Sequence, residues 1–428
     1  MIDSDDIRVR EFRQFRKAVR GSKDHLIVGI DIAKERHHAF FGTPTGETLF
    51  KRLVFENTIE GFEKLHIRVD GLRVQHDLSK VVFGLEPTAN YHKALAEHLI
   101  KCGHLVVMVA GESIKNNRKM LYGRWDSNDT KDAANVADLV SQGKCHFYEY
   151  PGMPLRDLRN LLSLNRRLKR QEHGLRVRIR NNLIAQYFPE LDKYFGGAEK
   201  QILSIVQWCL NPSVIARMDY KQFASLVGPG LRTAAQRERL KRIWNLSMKS
   251  VGCEGGDALD FEGKILVQAL NQTREAIETT EDKIKQICLQ FPEYGYLLTI
   301  PGFGPAVSSI VLGAIGNPVR FENGRQVIKM SGLDLSASRS GESSDRAVPV
   351  ISKKGKAYLR YALYQAALIA SIRNQHFVVY FTEKLRGRER EKGIKTKMRV
   401  KLAAKMLIIA WTLMKKMEPF DPSYLYRK

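Results

Sequence analysis

Two short apolar runs near the start of the chain each end on a carboxylate, and this pairing restricts the fold more than any other feature. "HLIVGID", residues 25–31, carries Leu26, Ile27, Val28 and Ile30 and closes on Asp31. "KVVFGLE", residues 80–86, closes in the same way on Glu86. Short, β-branched apolar runs read as buried strands. An isolated charge against such a strand is strongly disfavoured, so each acid must be paired with something. Around these strands, "HHAFFGT" and "TLFKRLVFE" flank "PTGE" and read as hairpin strands joined by a turn. A helix is predicted from about Ile59 to Val69, and "NYHKALAEHLIKCG" reads as an amphipathic helix stopped by Gly103. The strand "HLVVMV", an irregular basic segment and a helix through "DTKDAANVADLVSQG" complete the region. The order implies a mixed α/β sheet with helices on its faces.

Beyond residue 150 the pattern is helical. Leu155, Leu158, Leu162, Leu168, Leu175, Ile179 and Leu183 recur at helical spacing, interleaved with nine Arg and Lys from Arg156 to Arg180. A second long helix, "KILVQALNQTREAIETTEDKIKQICLQ", ends near Phe291-Pro292, and the two suit an antiparallel coiled-coil arm. Its basic face, with Arg166, Arg167 and Arg170, is either a solvated surface or a grip on nucleic acid. The boundaries drawn are a basic extension over 1–24, a sheet domain over 25–150, the arm with an insertion over 151–292, a mostly helical domain over 293–418, and a tail over 419–428. Charge favours a polyanionic partner: 70 Lys and Arg stand against 46 Asp and Glu, a formal +24. No membrane span is expected, because "LYQAALIASI" and "KMLIIAWTLM" are too short to cross a bilayer. The charged opening does not resemble a signal peptide. The five cysteines lack a Cys-x-x-Cys pair, which fits a reducing cytoplasm and offers neither a zinc site nor a disulfide framework.

Asp129 and Asp132, in "NDTKDA", stand at i, i+3 on one helical face. Four convergent carboxylates without an evident cation would repel one another, and a pair of divalent ions relieves that repulsion. Mg²⁺ (or Mn²⁺) prefers oxygen ligands, and two such ions about 4 Å apart clamp the oxygens of a phosphodiester. Taken singly, each acid has a plainer role as a loop cap or helix N-cap. Asp126 and Asp138 compete for the ligand roles, with Asp138 expected to face elsewhere.

"IPGFGPAVSSIVLGAIG" places Gly302 and Gly304 in a tight turn between apolar helices, in the manner of a helix-hairpin-helix whose amides hold phosphate. Its plainer reading is an ordinary helix–helix turn. Downstream, Ser336, Ser338, Ser340, Ser343 and Ser344 crowd beside Arg339 and Arg346, followed by Lys353, Lys354, Lys356 and Arg360. Composition alone reads as a serine-rich loop. A serine next to glycine among guanidiniums also suits attack on phosphorus.

Taken in order, "VGIDIAKERHHAF", "GLEPTANYHKALAEHL", "DSNDTKDAANVADL", "IPGFGPAVSSIVLGAIG" and "SGLDLSASRSG…ISKKGKAYLR" resemble the DEDD-type transposases of insertion-sequence family 110, which include Piv-type DNA invertases. The resemblance runs from about residue 25 to 415. It implies a RuvC-like, ribonuclease H-like domain, a coiled-coil arm and a helical transposase domain. It carries the metal-binding acids over as Asp31, Glu86, Asp129 and Asp132. It carries a nucleophilic serine over to Ser340, with Ser338 and Ser336 next in register. It implies a recombinase that excises and inserts an element, guided by a structured noncoding RNA. Its partners are then donor and target double-stranded DNA and further copies of itself, a dimer with a tetramer in the synaptic complex. The setting is the prokaryotic cytoplasm, at the nucleoid. The alternative is a RuvC-like metal-dependent nuclease that uses water as nucleophile.

Overall fold

The computed structural model describes residues 4–122, 129–228, 233–336 and 350–427. The chain divides into two compact units. One comprises residues 1–152 with 317–322, the other 153–316 with 323–428.

The first unit is built on a six-stranded mixed sheet in the order β3-β2-β1-β4-β5-β6, consistent with a ribonuclease H-like domain. Its strands are β1 (His25–Asp31), β2 (Arg36–Gly42), β3 (Thr48–Glu56), β4 (Lys80–Leu85), β5 (Leu105–Met108) and β6 (His146–Phe147). Strands β1, β4 and β5 are parallel, whereas β2, β3 and β6 join antiparallel. Helices α1 (Ser4–Ala18), α2 (Ile59–Gln75), α3 (His92–Lys101), α4 (Gly111–Tyr122) and α5 (Asp129–Ser141) surround the sheet. Period-two alternation splits the core. Leu26, Val28, Ile30, Phe83 and Leu85 pack with Phe62, Leu65 and Val69 of α2 and with Leu95 and Leu99 of α3. Ile27, Val82 and Val107 point the other way, onto Ile114 of α4 and Val136, Ala137 and Val140 of α5.

Two segments differ from the sequence expectation. The "irregular basic segment" after β5 is helix α4. The basic extension contains α1, whose Val9, Phe12 and Phe15 are buried at helical spacing, with Val19 buried just past its end. Arg8 of α1 donates to the Tyr148 carbonyl (2.7 Å). Residues 317–322 belong to the same unit: Arg320 pairs with Glu149 (2.5 Å) and Asn317 donates to Asp6 (2.6 Å).

The second unit is helical apart from one small ladder. Helices α6 (Met153–Arg178) and α7 (Asp257–Cys288) lie against each other. Their cross-links are Lys169–Glu281 (2.6 Å), Arg274–Glu172 (3.0 Å) and Arg178–Glu262 (2.6 Å). Residue numbers fall along one helix as they rise along the other, so the pair is antiparallel. The buried stripe of α7 runs Leu259, Gly263, Val267, Leu270, Thr273, Ile277, Thr280, Ile284 and Cys288. Short helices between them bury their own cluster around Phe188, Phe195, Ile202 and Phe223. Then follow α8 (Pro292–Leu298), α9 (Pro305–Ile315), α10 (Gly324–Ser331), β7 (Leu335–Ser336), β8 (Val350–Ile351), α11 (Ala357–Arg373), α12 (Gln375–Leu385) and α13 (Ile394–Lys416). No helix among the described residues is long and apolar enough to cross a membrane.

The placement of α5 depends on two glycines. A Cβ on Gly29 would stand 2.2 Å from the Ala133 carbonyl oxygen, and one on Gly84 would stand 2.6 Å from a methyl of Val140. Gly29 and Gly84 are register partners across β1 and β4, so α5 rests directly on two adjacent strand backbones. Gly29→Ala is expected to lower stability by about 1–3 kcal/mol in urea unfolding, since the obstructing atom is backbone and cannot rotate away. Gly71 is the internal contrast: it lies within α2 with open space around it, and Gly71→Ala is expected to raise stability by about 0.5–1 kcal/mol.

Candidate active site

Alternation along the strands fixes where the first two acids point. Ile27 and Gly29 of β1 face α5, and Asp31, two residues on, continues that face. Val82 and Gly84 of β4 face α5 likewise, and Glu86 continues it. Because Ile30 pairs with Leu85 in the parallel ladder, Asp31 and Glu86 follow at adjacent strand ends. The Glu86 amide donates to the Ile30 carbonyl (3.5 Å), which carries the ladder to the acid itself. On α5, Asp132 immediately precedes Ala133, the residue seated on Gly29.

Electrostatics agree with that placement. Burial pushes the Glu86 carboxyl above its ordinary range, the nearby charge of Asp132 pushes it further, and Arg118 opposes both. Asp132 is buried and forms an ion pair with Arg118 of α4. Asn117, beside Arg118, donates to Asp138 (2.8 Å) and to Asn135 (3.2 Å), which locks α4 onto α5. Asp138 also accepts from Gln142 (3.0 Å), so its carboxylate is engaged along the helix. Gly111, at the start of α4, leaves room for Glu86: a Cβ there would come within 2.7 Å of Glu86 Oε1. Asp129 is the first residue of α5; its side chain lies outside the described residues, as does Asp126.

The sequence expectation of a carboxylate group with no evident cation is corrected by Arg118. That residue was missed because it lies in "NNRKM", where a run of polar residues hides the helix. The carboxylates also carried a positional signal that could have been read. Each of "VGID" and "FGLE" has glycine two residues before its acid, on the same face of the strand, where a helix can approach.

In the second unit, the serine-rich segment is approached from both sides by fixed structure. β7 and β8 pair antiparallel, with Leu335 opposite Ile351 and Ser336 opposite Val350. Ser352 donates to Asp334 (2.5 Å). Gly332 (φ +70°) and Gly355 cross so closely that a Cβ on Gly355 would stand 2.5 Å from the Met330 carbonyl oxygen. Arg360 donates to the carbonyls of Ser331 (2.9 Å) and Gly355 (3.2 Å), and Lys356 donates to that of Ala314 (3.0 Å). Lys353 and Lys354 are exposed. Ser338, Arg339, Ser340, Ser343, Ser344 and Arg346 lie outside the described residues, and so does the side chain of Ser336. Gly302 (φ +89°) fits a turn whose backbone meets α11, where a Cβ would stand 2.5 Å from the Ala366 carbonyl oxygen; Gly304 has open space around it. Arg166, Arg167 and Arg170 are exposed on α6, with Arg166 over the Tyr358 ring (5.2 Å).

Both regions coincide with known sequence families. A transposase profile of the DEDD, IS110 type matches residues 28–189. A second, described as transposase of the IS116/IS110/IS902 family, matches residues 294–381. This chain belongs to the IS110/IS116 family of transposases. Two relatives are similar along most of their length. One is an uncharacterized 43.6 kDa protein of insertion element IS110 from Streptomyces coelicolor, 22% identical over 74% of this chain and 78% of its own. The other is an uncharacterized 44.8 kDa protein of insertion element IS116 from Streptomyces clavuligerus, 21% identical over 94% of this chain and 97% of its own. As an IS110-family transposase the protein is a DNA-cleaving and rejoining enzyme. A DEDD transposase domain implies a divalent metal. The residues fit one: half-buried Glu86 is pressed by the charge of Asp132 beside an oxygen-only donor set, the chemistry suited to Mg²⁺.

The raised Glu86 pKa makes stability pH-dependent. The native state holds its proton above the ordinary value of 4.5, so stability falls as pH rises from that value through the raised one. In the presence of a chelator, Glu86→Gln is expected to raise Tm at pH 7, with the difference from the parent vanishing below pH 4.5. Arg118→Ala leaves Asp132 buried beside Glu86 without its ion pair, and is expected to cost roughly 3 kcal/mol in metal-free urea unfolding.

Proposed function

We propose that this transposase excises and inserts its element through a serine–DNA intermediate, with strand choice directed by a structured noncoding RNA. The observation that supports this reading most directly is the delivery of Asp31 and Glu86 to adjacent parallel strand ends beneath Asp132. Asp129, one helical turn before Asp132, completes the quartet in this reading. A bound divalent metal, Mg²⁺ or Mn²⁺, supplies charge to polarise the scissile phosphodiester and orient it.

Ser340 is the nucleophile, the β7–β8 ladder holding the two ends of its segment together. Its Oγ forms a bond to phosphorus as the bridging P–O bond of the DNA breaks. The serine proton passes to the departing DNA hydroxyl. Attack by a hydroxyl from the other DNA then reverses these changes, so one phosphoester is exchanged for another without an external energy source. Arg339 and Arg346 stabilise charge developing on the phosphoryl oxygens. The exposed Arg166, Arg167 and Arg170 of the α6–α7 coiled-coil arm, together with Lys353, Lys354 and the turn at Gly302 and Gly304, follow nucleic-acid backbone. Lys356 and Arg360 add charge while bracing the serine segment. Guide–target base pairing reads sequence. The active form is a homo-oligomer, a dimer that becomes a tetramer in the synaptic complex, working in the prokaryotic cytoplasm at the nucleoid.

The test incubates purified protein with labelled donor and target DNA, Mg²⁺, and RNA transcribed from the element's noncoding flank. A protein–DNA adduct resistant to denaturant is expected only when RNA is present. Ser340→Ala is expected to abolish it, and Asp31→Asn or Glu86→Gln to reduce it at least about 100-fold. An undiminished adduct in Ser340→Ala would reassign the nucleophile. Metal-dependent cutting with no adduct in any variant would replace serine by water.

A further inference from the structure

On the sheet face opposite α5, three residues with nitrogen or sulfur donors from α2 and α3 come together. His66 comes from the middle of α2, His98 from the last turn of α3, and Cys102 from the C-cap of the same helix. The potential donor atoms of these three side chains all lie within 4.8 Å of one another. Cys102 Sγ and His98 Nε2 are 3.9 Å apart. His98 and Cys102 stand at i, i+4, so one helical face presents both, as metal-binding pairs on helices require.

The His66 ring is held from two sides. The His98 ring is tilted against it and the His104 ring is stacked on it, both at 5.2 Å between centroids. Neither contact satisfies its outer nitrogen: Nε2 of His66 is buried and has no hydrogen-bond partner. An imidazole nitrogen withdrawn from water and left unbonded carries a desolvation cost that a metal bond would remove. Cys102 is exposed, so the group opens to solvent on one side.

We infer that His66, His98 and Cys102 form a second metal site, for Zn²⁺ or a similar borderline-soft divalent ion, distinct from the carboxylate group. A thiolate with two imidazoles is the donor set such ions prefer, whereas Mg²⁺ and Mn²⁺ prefer oxygen. Tetrahedral zinc, with bonds of about 2.3 Å to sulfur and about 2.0 Å to nitrogen, separates its S and N ligands by about 3.6 Å. The observed 3.9 Å between Cys102 and His98 is close to that spacing. Closing the wider distances takes side-chain movements on the order of 1 Å. Water fills the fourth position on the exposed side. The ion ties α2 to α3 across the core they share over β1 and β4, and so stabilises the sheet without touching the α5 face.

The experiment uses the untagged full-length protein, reduced, stripped with chelator and titrated with Co²⁺. One equivalent is expected to give a near-ultraviolet thiolate-to-cobalt band with visible bands of four-coordinate cobalt, displaced by Zn²⁺ but not by excess Mg²⁺. Cys102→Ser, at an exposed position, is expected to remove the charge-transfer band, and His66→Gln to weaken binding at least about tenfold. Cys253→Ser, at the other exposed cysteine, is expected to leave the titration unchanged. Zn²⁺ is expected to raise the Tm of the parent by a few degrees and that of Cys102→Ser not at all. Absence of the charge-transfer band in the parent, or its survival in Cys102→Ser, overturns the site.

Discussion

Helix α5 can carry its acids to the end of the sheet because β1 and β4 each lack a side chain where it lands. Gly29 and Gly84 let the helix settle on backbone, with Ala133 and Ala137 over one strand and Val136 and Val140 over the other. A helix resting on ordinary side chains would stand ångströms farther out. Asp132 would then lose its proximity to Glu86, whose carboxyl is raised first by burial and then by the charge of Asp132. The spacing of these carboxylates depends on atoms that are absent. The acids follow from the register of the ladder, and the register is held by the same two strands that the helix covers.

The carboxylate end is arranged against its own charge. Two acids at neighbouring strand ends and a third on the overlying helix would weaken the unit if all were ionised and unopposed. Arg118 opposes part of that charge through its pair with Asp132, and its helix is locked in place through Asn117. Burial and the nearby charge of Asp132 together raise the Glu86 pKa. Charge that destabilises the metal-free fold also favours a divalent ion, because the ion relieves repulsion already built into the structure. In the metal-free protein Arg118 is the group that moderates that repulsion, through its pair with Asp132 and its effect on Glu86.

How much of this was legible depended on whether one period dominated locally. Strands β1 and β4 were clear because their apolar residues are uninterrupted and end sharply on Asp31 and Glu86. Strand β6, only His146–Phe147, is too short to show any period. Helix α1 was masked by its charge: Val9, Phe12 and Phe15 form a buried stripe, yet the Arg and Lys between them dominate the composition. Arg118 was hidden in the same way within a polar helix. The grouping of His66, His98 and Cys102 was beyond a reading based on cysteine spacing, because its ligands come from two helices separated by a strand. Tertiary packing, not local pattern, brings them together.

The described chain on either side of the serine-rich segment is held by contacts of several kinds. Ser336 and Val350 are ladder partners, so the chain leaves and re-enters at one place. Just outside the ladder, Ser352 is tied to Asp334, Gly355 passes against the backbone of Met330 and Gly332, and Arg360 ties down the carbonyls on both sides. Four interactions of different kinds thus converge on the base of one segment. They fix residues 331–336 and 350–360 relative to one another. The basic residues Lys356 and Arg360 are spent in part on backbone: Lys356 donates to the Ala314 carbonyl, and Arg360 to those of Ser331 and Gly355, so their charge is held in place by the chain around it.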